Sequence, residues 1–218
     1  MKEYHKIEGL FARDPGTKKL LPDKLISPEV ELLKNIPWVF TEKIDGTNIR
    51  VVWDGHKVSF WGRTDNANIP THLLRKLEEM FGGEANEQMF EQKFGSNPVI
   101  LFGEGYGPKI QKGGSYRSDV SFILFDVQVG EWMLKRDGVE EIAQYFGIDI
   151  VPIVLTGTIA DGIEYVKARP ASTMGTAKME GIVGHPVVEL RKRNGERIIV
   201  KIKTSMFDEL DKQERDQA

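Results

Sequence analysis

The stretch Trp38-Val39-Phe40-Thr41-Glu42-Lys43-Ile44-Asp45-Gly46-Thr47-Asn48-Ile49-Arg50-Val51-Val52-Trp53-Asp54-Gly55 decides the fold class. Its first part, 38–44, is dense in aromatic and β-branched residues and reads as a strand, as does 48–53, with Asp45-Gly46 at the join. Asp54-Gly55 is a hairpin signal leading into a third strand at 57–61. Three strands this close together predict an antiparallel sheet, because parallel neighbours need a long crossover between them.

Outward from that sheet, the apolar residues at 73, 74, 77, 80 and 81 form a helical stripe over 70–81 that Gly82-Gly83 ends, and a second helix is expected over 84–94. Val99-Ile100-Leu101-Phe102 reads as a buried strand running into Gly103-Glu104-Gly105. The segment 108–118, rich in Gly, Lys and Ser, reads as loop. The most apolar strand is 122–129, followed by a helix near 137–146 with Asp137 as its expected cap. A strand at 151–155, a helix at 159–168 and strands at 178–183 and 187–193 complete the pattern. Asn194-Gly195 then turns the chain back through 197–203. Pro15-Gly16, Pro22 and Pro28 break up residues 1–35, which read as loops around one short element, and the charged tail 205–218 reads as a helix. With no repeat, low-complexity linker or clear boundary, 1–218 reads as a single α+β domain.

Composition narrows the chemistry. Of 218 residues, 40% are hydrophobic and 29% charged, which supports a packed core rather than disorder. Cysteine is absent, so disulfides, thiolate nucleophiles and Cys-ligated metals are excluded. The histidines at 5, 56, 72 and 185 are too scattered to suggest a local metal site. No apolar run approaches the length of a spanning helix and no signal-like core follows Met1, so the expectation is a cytoplasmic chain without a membrane partner. A net charge of -3 argues against a blanket nucleic-acid coat and leaves room for a local basic track.

Lys43, late in its strand and before a turn, is a candidate amine nucleophile, an amine that must shed its proton to react. The plain alternative is a lysine snorkelling from an edge strand. Glu104 sits between two glycines after an apolar strand, where a ligand can approach closely; a turn carboxylate would look the same. Phe125 fits a core position, whereas Asp126 inside so apolar a run must be paired, hydrogen-bonded or at the strand mouth. Glu180-Gly181 repeats the carboxylate–glycine pattern near a strand start. Lys201 and Lys203 share one strand face and Val200 and Ile202 the other. Two amines on one face suit a phosphate chain, or else keep a sheet edge soluble. Carboxylates without thiolate or imidazole ligands favour a hard ion such as Mg²⁺ held beside substrate phosphates. The residues therefore point to nucleotide or phosphoryl handling and leave the reaction open.

Glu42-Lys43-Ile44-Asp45-Gly46-Thr47-Asn48 resembles the signature of the covalent nucleotidyltransferases, the polynucleotide ligases and mRNA capping enzymes. Its Lys-x-Asp-Gly-x-Asn form is most similar to ATP-dependent RNA ligases of the phage nick-sealing and kinetoplastid editing type. Gly62-Arg63-Thr64, Phe102-Gly103-Glu104, Phe125-Asp126, Glu180-Gly181-Ile182-Val183 and Lys201-Ile202-Lys203 resemble the family's later motifs, in the family's order. The resemblance spans about 38–204. It implies an ATP-grasp-like nucleotidyltransferase fold, with antiparallel sheets and flanking helices around a nucleotide cleft.

The resemblance also implies roles. Lys43 attacks the α-phosphate of ATP and becomes a lysyl-AMP, with Asp45 part of the same catalytic signature. Glu42 lies near the adenine edge, Phe125 stacks on the ring, Glu104 binds near the ribose, Asp126 supports the pocket and Asn48 orders it. Glu180 engages the metal, Mg²⁺ or Mn²⁺, while Lys201 and Lys203 contact phosphates. Arg63 serves the ribose-phosphate side or receives a 5′-phosphate, and Lys167 or Arg169 loosely matches a further basic residue. The implied substrate is RNA or a nicked or bridged duplex with 3′-hydroxyl and 5′-phosphate ends. Only 15 residues follow Lys203, so no oligonucleotide-binding barrel or helical domain is expected after it, and a separate partner is one way to supply substrate grip. The alternatives are a minimal DNA ligase, a capping guanylyltransferase and a non-catalytic module that binds nucleic-acid ends.

Overall fold

A computed structural model describes residues 3–111 and 113–216. In chain order, β1 (Glu8–Gly9), β2 (Phe11–Arg13) and β3 (Leu20–Leu25) lead to α1 (Pro28–Leu33), β4 (Trp38–Glu42), β5 (Thr47–Trp53) and β6 (Val58–Gly62). Helices α2 (Thr71–Phe81) and α3 (Glu84–Phe94) precede β7 (Val99–Tyr106), a short 3-10 turn at Gly113–Ser115 and β8 (Ser121–Val129). Then come β9 (Trp132–Met133), α4 (Arg136–Phe146), β10 (Asp149–Ile150), β11 (Ile153–Gly157) and α5 (Ile159–Lys167). The chain ends with β12 (Gly181–Pro186), β13 (Val200–Lys203) and α6 (Thr204–Arg215).

These elements divide into two compact units. One takes in the described residues up to His5 together with Ile44–Val151; the other takes in Lys6–Lys43 and the described residues from Pro152 onward. The first unit holds a sheet of order β10-β8-β7-β5-β6, with β9 paired to β8. Alternation along β5 sends Ile49, Val51 and Trp53 into a core with Leu73, Leu77 and Phe81 of α2, Phe90 and Phe94 of α3, and Val139 and Ile142 of α4. Asn48, Arg50 and Val52 therefore share the opposite face.

A bulge breaks that alternation in β8. Phe102 pairs with Asp126 and Gly103 with Leu124, so Phe125 is the extra residue with no opposite number on β7. The shift keeps Leu124 and Val127 both in the core while Phe125 and Asp126 are both left out of it. Without the bulge, strict alternation would turn one of that pair into the apolar core.

The second unit holds a sheet of order β1-β13-β12-β4-β11 and a small β2-β3 sheet. Its core joins Trp38 and Phe40 of β4, Ile182 of β12, and Val200 and Ile202 of β13 to Ile159 and Val166 of α5 and to Met206 and Phe207 of α6. A capping box opens α5: Thr158 Oγ1 accepts the Asp161 N–H at 3.2 Å and Asp161 Oδ2 accepts the Thr158 N–H at 2.7 Å.

Several local expectations change. Residues 8–33 carry three short strands and a helix rather than loops around one element, because Leu10, Phe11, Leu20 and Val30 complete the second unit's core. Pro22 is tolerated in β3 because the ladder to β2 pairs only Phe11 with Leu25 and Arg13 with Leu20, across a register shift. Asp137 does not cap α4: Lys135 holds the N-cap position without a side-chain bond, and Asp137 Oδ1 accepts the Gly138 N–H one residue on. The strand expected at 178–183 starts at Gly181, and Lys178 bridges Ala171 instead. The strand expected at 187–193 shrinks to a bridge between Arg191 and Arg197 beside the Asn194-Gly195 turn. β12 ends at Pro186, which has no N–H to carry a ladder further. The tail helix runs to Arg215, while Gln217, Ala218 and Lys112 of the expected loop lie outside the described residues.

Gly103 faces the core at the bulge, where an added Cβ would run into the Phe122 ring and the Ile123 carbonyl. Gly103→Ala is expected to cost about 1–3 kcal/mol by overpacking. The check is a lower urea midpoint with an unchanged m-value.

Candidate functional site

In the second unit, strand alternation sorts Glu42 from Lys43. Glu42 points with Trp38 and Phe40 to the buried side, and Lys43 follows on the other face. Its N–H donates to the Gly181 carbonyl at 2.9 Å, which extends the β4-β12 ladder by one residue. On the next strand, Lys201 pairs with Val183 and Lys203 with Gly181, while Ile202 faces the core. Lys43 Nζ lies 2.6 Å from Glu180 Oε2, and Lys203 Nζ lies 2.6 Å from Glu180 Oε1. One carboxylate thus spans two ammonium groups. Lys201 completes the group: burial first, then the charges of Lys43 and Lys203, hold its pKa below the usual lysine value. Two amines on one carboxylate, and a third near enough to feel their charge, leave an excess of positive charge suited to a polyanion.

Glu42 is only 1% exposed. Its carboxylate accepts from Ser172 Oγ at 2.5 Å, from the Thr173 N–H at 2.9 Å and from Thr173 Oγ1 at 2.5 Å. These bonds satisfy a charge that would otherwise be costly to bury, and they tie the 172–173 segment to the end of β4. The sequence reading did not single out Ser172 or Thr173. A hydroxyl pair in a loop carries no periodic signal; only the rule that a buried carboxylate needs donors pointed to partners.

The first unit holds the remaining expected residues. Asn48 on β5 pairs with Glu104 on β7, and Glu104 pairs with Ile123 on β8. Asn48 Oδ1 is buried with no hydrogen-bond partner among the described residues, an acceptor left for a ligand donor. Asp126 accepts from Tyr4 Oη at 2.5 Å, and the Tyr4 ring lies 5.0 Å from both Phe102 and Phe125, edge-on to the latter. Tyr4 also escaped the sequence reading, being 122 positions away from its partner.

The Asp45 N–H donates to Tyr116 Oη at 3.2 Å. Gly46 has no room for a side chain, since a Cβ would strike the Gly105 carbonyl and Glu104 Cγ. That close approach is what the glycine of the Asp-Gly pair permits. Arg63 is exposed on the loop after β6 and makes no hydrogen bond or ion pair among the described residues. The expected residues therefore form two groups: Glu42, Lys43, Glu180, Lys201 and Lys203 in one unit, and Asp45, Asn48, Arg63, Glu104, Phe125 and Asp126 in the other.

No cluster of three or more His, Asp or Glu side chains able to hold a metal ion occurs among the described residues. Glu180 by itself still fits a Mg²⁺- or Mn²⁺-type ion, since such ions take one or two carboxylates and complete their shell with water and substrate phosphates. No helix among the described residues is long and apolar enough to cross a membrane. Of the two loosely matched basic residues, Lys167 lies over the Phe207 ring, and Arg169 pairs with Asp208 at 2.6 Å and Asp211 at 3.3 Å.

A sequence profile described as RNA ligase matches residues 36–203. No curated protein matches the sequence. Among solved structures, an RNA ligase of Naegleria gruberi with pyrophosphate is similar at a TM-score of 0.62 and 20% identity, over 85% of this chain and 55% of that one. Mutants of the same ligase with ATP and manganese or with AMP and manganese give TM-scores of 0.61 and 0.63, both at 16% identity over 83% of this chain and 53% of theirs. The chain spans little more than half the length of those structures. The expected α+β fold of nucleotidyltransferase type, with antiparallel sheets, is borne out.

The lowered Lys201 pKa has a thermodynamic consequence. The unfolded chain holds more protons than the folded one between the depressed value and 10.5, so stability rises with pH across that window. The penalty is fully present below the depressed value and fades as the pH rises towards 10.5. Lys201→Met is expected to melt above the wild type at pH 7, with the gap closing as the pH climbs towards 10.5. Calorimetry at a series of pH values checks this, and a gap independent of pH would contradict it.

Proposed function

The chain belongs to the RNA ligase family, and from that premise we propose that it is an ATP-dependent RNA ligase joining 3′-hydroxyl and 5′-phosphate ends. The observation that carries the reading is Glu180 spanning Lys43 and Lys203, with Lys201 beside them on one sheet. Such a group can bind a triphosphate and hold an amine ready beside it.

In the first step Lys43 Nζ attacks the α-phosphorus of ATP. The bond from that phosphorus to the bridging oxygen breaks, pyrophosphate leaves with the electron pair, and a lysyl-AMP phosphoramidate forms. Glu180 Oε2, 2.6 Å from Nζ, is within reach to accept the proton. Lys201 and Lys203 neutralise charge that gathers on the leaving pyrophosphate. Glu180 is the residue to hold a divalent cation, Mg²⁺ or Mn²⁺, whose charge adds to that neutralisation.

Phe125 offers a ring for adenine, Glu104 and Asn48 serve the ribose side, and Asp126 supports Phe125 through Tyr4. Glu42 contributes to the base edge through the 172–173 segment it anchors, and Asp45 orders the turn after the nucleophile. AMP then passes to the RNA 5′-phosphate, where Arg63 receives the end. Attack by a 3′-hydroxyl releases AMP and forms the phosphodiester. Nicked or bridged duplexes are the preferred substrates in this reading. The chain acts as one adenylyltransferase domain, with or without a separate nucleic-acid-binding partner, in the cytoplasm, where a chain without cysteine loses nothing.

Incubation with α-labelled ATP and Mg²⁺ is expected to label the protein, with Lys43→Ala unlabelled and GTP, CTP and UTP giving little signal. A chase with 5′-phosphorylated RNA should move the label to the RNA. An unlabelled wild-type protein, or equal labelling of the variant, would overturn the reading.

A further inference from the structure

Arg50 is a buried cation outside the residues assigned above. It lies two positions after Asn48 on β5, on the face turned away from the core, and its exposure is 0%. Nε donates to the Gly62 carbonyl at 2.8 Å and Nη2 to Asp65 Oδ1 at 2.7 Å. Gly62 is the last residue of β6, and Asp65 belongs to the exposed loop that follows. One planar guanidinium therefore grips the chain on both sides of Arg63 and Thr64. Its donors form a rigid fork, so the two acceptors are fixed relative to each other as well as to β5. The Ala67 N–H donates to the Thr64 carbonyl at 3.1 Å and closes the turn. The Arg50 hydrogen bond is also the first cause of an Asp65 carboxyl held below its usual range.

Burying an arginine carries a large desolvation cost, and a hydrophobic residue of similar volume often serves stability as well or better. A plain surface loop needs no such device. What the device holds still is Arg63, whose guanidinium makes no hydrogen bond or ion pair among the described residues. The triphosphate already has three amines assigned to it, while Arg63 is the cation that the ligase reading assigns to the RNA 5′-phosphate. We propose that Arg50, acting with Asp65, is a positioning residue that sets the Arg63 loop to receive the 5′-phosphate in the AMP-transfer step. This rests on the ligase reading, and within it assigns a separate control to the second step.

The test uses Asp65→Asn, an exposed position where the substitution keeps size and an acceptor but removes the charge. Self-adenylylation with labelled ATP and single-turnover AMP transfer from purified lysyl-AMP protein to 5′-phosphorylated RNA are measured separately. The expected result is self-adenylylation within about twofold of wild type and transfer at subsaturating RNA slowed about tenfold. Arg63→Ala should slow transfer similarly, and the double variant should lose no more than Arg63→Ala alone, as coupled residues do. Arg50→Lys, which keeps the charge but loses the fork, should behave as Asp65→Asn does. Equal loss in both half-reactions, no loss in transfer, or losses that simply add would overturn the proposal. Absence of label on the wild-type protein would overturn the ligase reading and this proposal with it, whereas a labelled protein with a silent Asp65→Asn overturns only this one.

Discussion

The Glu180 carboxylate between the Lys43 and Lys203 ammonium groups is the contact on which the second unit's chemistry depends. Three lysines, one at the end of β4 and two on β13 across the intervening β12, repel one another, and the depressed Lys201 pKa registers that repulsion together with burial. One carboxylate offsets part of the repulsion. The rest is a standing cost in the free protein, recovered when an anion binds to the folded chain and not to the unfolded one. The same face is thus poorly suited to stability and well suited to holding phosphates.

The opposite face of that sheet supplies the rigidity. Ile202 sits in the core between Lys201 and Lys203 on β13, and Phe40 of β4 and Ile182 of β12 join the same core, so the three strands that carry the site are locked from behind. Glu42 extends the locking to a loop. Its three hydrogen bonds to Ser172 and Thr173 fasten that segment to the residue just before Lys43.

The first unit solves a different problem, which is to put polar and aromatic groups on a sheet face without losing the core behind it. The bulge at Phe125 does this by inserting one residue, so that Phe125 and Asp126 both leave the core while Leu124 and Val127 stay in it. Tyr4 then bonds Asp126 and packs against Phe125 and Phe102. It comes from a segment before residue 36, where the family match begins. Arg50 on the same face turns a buried charge into a fixed loop.

Much of this was legible in residue order. The period-2 strands from Trp38 to Trp61, the helical stripe of α2 and the Asp-Gly and Asn-Gly turns depend on neighbours close in sequence, and they announced an antiparallel α+β fold. The paired faces of Lys201 and Lys203 follow from the same short-range alternation, and the Lys43 signature was legible as a family resemblance. The partners chosen across long separations did not show: Tyr4 for Asp126, Ser172 and Thr173 for Glu42, Asp65 for Arg50. Nor did the bulge, which exists only as a mismatch between two strands. Local pattern determines which way a side chain points relative to its own strand. Which group waits there to meet it is settled by packing between distant segments, and that selection belongs to the tertiary structure.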